Sequence, residues 1–214
     1  MNSSKLIKVF FFISEIMTKN KDYLTKLDQQ SGDGDLGVSM TNGFKSVYEY
    51  LSTTDETDIG RLFMLSSSVF NDTAPSSLGT IISFALMGMA QSLKGKTEAS
   101  LNEMASAMKS GVGKVMDRAG SKPGEKTVLD SMCPAIDTLI ANVNQQGAEV
   151  ALKKAVEASK KGAEDTRQMR SVHGRAAYYG DKSIGLIDGG AVVGSLIFEA
   201  LYNYVTQVVK EVNK

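Results

Sequence analysis

The chain has 214 residues, with 24 basic and 24 acidic side chains, one His, one Cys, no Trp and three Pro. A chain of this length holds one domain or two small ones with a full core, and a formal charge of zero excludes a nucleic-acid surface, which needs a surplus of Lys and Arg. The lone Cys133 excludes an intramolecular disulfide and a Cys-built zinc site, and the lone His173 excludes sites that need several imidazoles.

Apolar spacing is helical from the start. Val9, Ile13, Ile16, Met17, Tyr23, Leu24 and Leu27 recur at threes and fours, so Leu6 to Leu27 reads as one amphipathic helix. Its apolar run from Val9 to Ile13 is followed by Glu15 and Lys19 and falls short of the ~20 residues a bilayer span requires. A soluble, cytoplasmic protein without membrane attachment is therefore expected. Further helices are predicted over about 37–50, 58–69, 76–93, 100–119, 127–144, 147–159 and 191–212. The 76–93 stretch is apolar on nearly every side, which marks it as central and buried. Met87, Met89, Met104 and Met108 read as core filling, and Cys133 as a buried small residue. Pro75, Pro123 and Pro134 fall near helix starts, the last in a first turn or at a mild kink. No run alternates with period two. The expectation is one all-α domain, residues 1–214, of roughly eight helices.

Glycines punctuate the loops between these helices. The first cluster, Asp28 to Gly37, contains G-x-G-x-x-G, but a dinucleotide fingerprint needs a strand before it, and here a helix precedes it. Asp33 and Asp35 would also repel a bare pyrophosphate. With a hard cation between them and the phosphates the same carboxylates make sense, since magnesium takes oxygen ligands from a few carboxylates, phosphate and water. Asp28, Asp33 and Asp35 are thus candidate metal ligands. The competing reading makes Asp33-Gly34 a turn and Asp35 an N-cap. The helix that follows would aim free amides, among them those of Val38 and Ser39, at phosphate.

Gly120 to Thr127 ends like a P-loop, yet Glu125 breaks the Gly-Lys-Ser/Thr register, and a helix-start turn explains it as well. The stretch from Gly174 to Ala191 lacks helical periodicity, as functional loops often do. Arg175 offers a planar fork for phosphate oxygens, and Gly189-Gly190 allows close approach of backbone amides. Alternatively, Arg175 and Asp188 pair with each other to pin the loop. His173 reads as a surface or packing residue rather than a phosphoryl acceptor.

Together, Leu27-Asp28 with Gly32-Asp33-Gly34-Asp35-x-Gly37, Pro123-Gly124-x-Lys126-Thr127-x-x-Asp130, and Gly174-Arg175-Ala176 with Gly180-x-x-Ser183-x-Gly185-x-x-Asp188-x-Gly190-Ala191 resemble the nucleotide-binding L subunits of bacterial dihydroxyacetone kinases. The resemblance extends over nearly the whole chain. It implies an antiparallel eight-helix barrel whose open end holds ADP or ATP through two Mg2+ ions on Asp28, Asp33 and Asp35. Nucleotide contacts would come from Leu36, Gly37, Val38 and Ser39, from Ser76 and Ser77, from Gly124, Thr127 and Val128, and from Arg175, Asp188, Gly189 and Gly190. Arg175 would neutralise charge developing on the transferred phosphoryl group. The implied partners are a separate K subunit carrying dihydroxyacetone or a related ketose and a phosphohistidine donor subunit, with a homodimer left open. The chain departs from the family where a His is common at Leu36, a Gly-rich helix start at Pro75-Ser76-Ser77 and a Pro at Gly189. Those departures motivate an alternative, a regulatory subunit that keeps nucleotide as a structural ligand without kinase turnover.

Overall fold

A computed structural model describes the backbone of residues 1–212 and the side chains of residues 1–208. Eight α-helices occupy it among the described residues: α1 (Ser3–Lys19), α2 (Lys21–Asp28), α3 (Leu36–Leu51), α4 (Ile59–Thr73), α5 (Ser77–Ser92), α6 (Leu101–Ala119), α7 (Leu129–Asp165) and α8 (Gly189–Val212). No strand is present among the described residues, and no described helix is long and apolar enough to cross a membrane.

The predicted first helix is two. Its apolar stripe continues past Lys19, but Asn20 leaves the helix at φ −100°, ψ 9°, and its Nδ2 donates to the Ile16 carbonyl 2.8 Å away. A short amide side chain that satisfies the backbone locally is a sufficient stop. Conversely, α7 is two helices in one span. Gly147 takes φ 77° there, and the chain folds back, which brings Lys154 Nζ within 3.0 Å of Asn142 Oδ1 and sets Gly162 beside the Asp130 carbonyl. Pro134, inside the first arm, supplies no amide for that same carbonyl. A Cβ at residue 162 would lie 2.1 Å from the Asp130 oxygen, so only Gly permits the approach.

With α7 counted as two arms, neighbouring elements form a closed ring: α1 on α3, then α4, α5, α6, the two arms of α7, α8, and back to α1, with the short α2 packed on α3 and α8. This is the eight-helix barrel expected. Side chains of every helix meet in one apolar core that includes Phe10, Leu24, Met40, Phe70, Ile82, Met104, Ile136 and Phe198. The rings of Phe44 and Phe70 meet edge-on at 4.7 Å, and Gly43 leaves the room they need. The central placement predicted for α5 holds only in part, because several of its residues, among them Thr80 and Gln91, remain exposed.

Candidate functional site

One end of the barrel opens into a cleft of about 850 Å3. The N-terminal turns of four helices reach it: Leu36 of α3, Ser77 and Leu78 of α5, Val128 beside the start of α7, and Gly189 and Gly190 of α8. Each helix start presents amides without intrahelical acceptors and the positive end of its dipole. Four such ends on one cleft are an arrangement that favours negative charge.

Beside them lies the acidic loop. One carboxylate oxygen from each of Asp28, Asp33 and Asp35 lies within 4.8 Å of the others. Asp28, at the C-terminal end of α2, also shapes the loop: its Oδ2 accepts from the Gly34 amide at 2.8 Å and from the Leu36 amide at 3.4 Å. Gly34 sits at φ 79°, a conformation that favours glycine. At Gly32 the constraint is spatial, since a Cβ there would stand 2.1 Å from Asp28 Oδ1. Asp35 occupies the N-cap position of α3 yet makes no side-chain capping bond, so its carboxylate is not spent on the helix. Burial, and then the charge of Asp28, push its carboxyl above the usual range. Three hard oxygen donors crowded together are the donor set magnesium prefers.

Arg175 leads the 3-10 stretch Arg175–Ser183 and forms an ion pair with Asp33. The alternative pairing with Asp188 is not the one observed. Asp188 instead caps α8, its Oδ2 accepting from the Ala191 amide at 2.7 Å. Burial pushes its carboxyl up to about 6, against the Ala191 bond and the Lys126 charge, which favour ionisation. Ser76 caps α5, accepting from the Gly79 amide at 3.1 Å, which preserves the helix start despite Pro75.

Of the residues expected at the site, Asp28, Asp33, Asp35, Leu36, Ser76, Ser77, Thr127, Val128, Arg175, Asp188, Gly189 and Gly190 all line this cleft. Gly37, Val38, Ser39 and Gly124 do not. Gly37 is packed on the Lys21 carbonyl, Ser39 is buried, Val38 faces outward, and the Gly124 amide donates to Asp130 Oδ1 at 2.5 Å. Asp130 Oδ2 takes the Thr127 amide at 2.7 Å, so this buried carboxylate closes the 124–127 turn. Asn71, Thr80 and Ser121 line the cleft without any signal in the sequence that singles them out. His173 also lines it, 2.6 Å from Glu125 Oε2, and this hydrogen bond is the main cause that holds the Glu125 carboxyl below its usual range.

Two of the sequence departures touch each other. A Cβ on Gly189 would lie 2.5 Å from Leu36 Cδ2, and Leu36 is buried. Overpacking of this kind costs roughly 1–2 kcal/mol, so Gly189→Ala is expected to lower the melting temperature by about 2–6 °C. In a double-mutant cycle with Leu36→Ala the cost of the double variant should fall short of the sum of the two single costs by about 1 kcal/mol; additive costs would mean that the contact carries no energy.

The DAK2 domain model matches residues 30–203. The chain belongs to the DAK2 domain family. It is 30% identical over 178 residues to the ADP-binding subunit of the PEP-dependent dihydroxyacetone kinase of Escherichia coli (strain K12), covering 83% of this chain and 85% of that one. It is 28% identical over 193 residues to the corresponding ADP-binding subunit of kinase 2 of Listeria innocua, covering 89% of each. The same DAK2 fold stands in the crystal structure of the dihydroxyacetone kinase from C. freundii in complex with AMP-PNP and Mg2+, at TM-score 0.73 and 22% identity over 92% of this chain. This chain spans about a third of that longer one, 33%.

Proposed function

We propose that the chain is the nucleotide-holding, phosphoryl-transferring subunit of a kinase for dihydroxyacetone or a related small ketose. ADP or ATP would lie in the cleft with two Mg2+ ions on Asp28, Asp33 and Asp35, and the sugar would be bound on a separate K subunit. The observation that carries this reading is the convergence of three carboxylates and four helix N-termini on one cleft. Neither half suffices alone, because the carboxylates repel phosphate and the amides do not bind a cation. Magnesium held by these carboxylates would supply positive charge against the phosphates and the charge that develops during transfer.

The chain's own residues do the positioning. Asp28, fixed by the Gly34 and Leu36 amides, sets the spacing of the acidic loop. The starts of α5 and α8 orient the phosphates, and Asp188 holds the start of α8 in place. Arg175 supplies a guanidinium at the mouth, where a phosphoryl group in flight spreads charge over its oxygens. Since the relatives named above are subunits of PEP-dependent kinases, a phosphohistidine donor subunit that recharges bound ADP is part of the proposal. The single His173 is engaged by Glu125 and has no role in that relay.

Mass spectrometry of nucleotide released on denaturing the purified protein, with calorimetry of ADP binding at varied magnesium, tests the reading. Asp33→Asn is expected to weaken magnesium-dependent ADP binding by about a hundredfold, at the upper end of losses seen even for residues that only support ligands. Full retention of binding in this variant would sink the assignment. Tight binding with no transfer to any triose or tetrose on an added K subunit would favour the regulatory alternative.

A further inference from the structure

Lys126 is the one residue other than glycine at positive φ among the described residues, at 62°. The left-handed region costs a side chain with a Cβ about 1–2 kcal/mol, and glycine would adopt it freely, so the lysine must be held there by what its side chain does. That side chain is 5% exposed. Its Nζ donates to four main-chain carbonyls: Thr166 at 2.7 Å, Met169 at 3.3 Å, Ser183 at 2.8 Å and Leu186 at 2.5 Å. Three N–H groups are shared over four oxygens, which leaves no donor for a phosphate.

All four oxygens belong to the irregular segment 166–188. Arg175 lies between the second and third of them, and Asp188 follows the fourth by two residues. An ammonium withdrawn from water is tolerated only where acceptors saturate it; burial lowers its pKa while the charge of Asp188 opposes the shift. Two further bonds tie the same segment to itself, Ser183 Oγ accepting from the Ser171 amide at 3.0 Å and Thr166 Oγ1 from the Asp188 amide at 2.9 Å. These do not reach the 120–127 turn; Lys126 does, beside Glu125, whose carbonyl accepts from the Val172 amide at 3.4 Å and whose carboxylate meets His173 Nε2 at 2.6 Å.

We propose that Lys126 is the positioning residue of the cleft: its carbonyl-caged ammonium pins the 166–188 segment to the turn before α7, so that Arg175 and Asp188 face the bound nucleotide. What the segment faces rests on the nucleotide reading, whereas the pin does not.

Two variants separate the charge from the chain. Lys126→Gly removes the ammonium at a φ glycine adopts without strain, and Lys126→Met keeps the volume without the charge. In both, far-UV helix content is expected to persist while trypsin cleaves after Arg167, Arg170, Arg175 and Lys182 about tenfold faster, as local opening predicts. The Kd for Mg-ADP should rise about tenfold, the scale of losing a supporting residue. Methylammonium should restore both properties of Lys126→Gly in a saturable way, because it can occupy the carbonyl cage, while tetramethylammonium, which donates no N–H, should not. Wild-type trypsin resistance in the variants overturns the pin, as does equal rescue, or equal absence of rescue, by the two cations. If the wild type binds no Mg-ADP, the nucleotide reading fails, and the proteolysis arm still reads Lys126 by itself.

Discussion

Gly32→Ala should strip the acidic loop of its metal affinity while the barrel stands. The backbone of Gly32 is not left-handed, so alanine meets no conformational barrier there. The obstacle is Asp28, whose Oδ1, Cγ and carbonyl oxygen would stand 2.1, 2.8 and 3.0 Å from the new Cβ. Carbon cannot approach oxygen so closely, and the main-chain carbonyl belongs to the end of α2, so the carboxylate has to swing away. In doing so it gives up the Gly34 and Leu36 amides and its place beside Asp33 and Asp35. Loss of what orients a ligand weakens metal sites roughly 10–100-fold, and magnesium-dependent ADP binding by calorimetry should fall by that factor. The stability cost is about 1 kcal/mol for the lost hydrogen bonds, or about 2–4 °C in a chain of this size. Gly113→Ala provides the control. That position lies within α6 with nothing inside 4 Å of a Cβ, so it should stabilise by up to ~1 kcal/mol with nucleotide binding unchanged. Retained affinity in Gly32→Ala would show that the Asp28 carboxylate is not held where the metal needs it.

The same residue explains what was readable in advance. Three aspartates interleaved with three glycines are a local pattern, and local patterns survive in sequence because the loop's own turns create the geometry. The helices were legible for a similar reason, since each carries its apolar stripe at a spacing of threes and fours. Asn20 escaped because the stripe of α1 runs into that of α2 with the phase preserved, so periodicity saw one helix where a side-chain amide had ended it. Gly147 was visible as a break, yet the contacts its fold-back creates, such as Lys154 with Asn142, are announced by no spacing. At the site, Arg175 was recognisable by type, but its partner was not: Asp188 is near in sequence and Asp33 far upstream, and the barrel's closure selects the distant one. Lys126 sits in a recognisable motif while its ammonium is taken up by main-chain carbonyls of the 166–188 segment, and neither its positive φ nor those bonds leave a trace in composition.

Arg175→Gln should move binding and turnover in opposite directions. The Arg175 guanidinium pairs with Asp33, one of the three proposed metal ligands. A cation entering the loop must displace it, so the pair competes with magnesium. The competition is weak, because the Arg175 side chain is 63% and the Asp33 side chain 43% exposed, and pairs this accessible contribute about 0.2–1 kcal/mol. Magnesium affinity should therefore rise by no more than about fivefold in Arg175→Gln. Phosphoryl transfer is a different matter. An arginine that meets the charge of a phosphoryl group in flight contributes roughly 10³–10⁵ to the rate, so single-turnover transfer to ketose on the K subunit should collapse by about that factor while ADP remains bound. Arg175→Lys keeps the charge without the planar fork and should recover only part of the rate. A variant that transfers at the wild-type rate would confine Arg175 to its pair with Asp33, and the charge-neutralising role would pass to another group at the cleft.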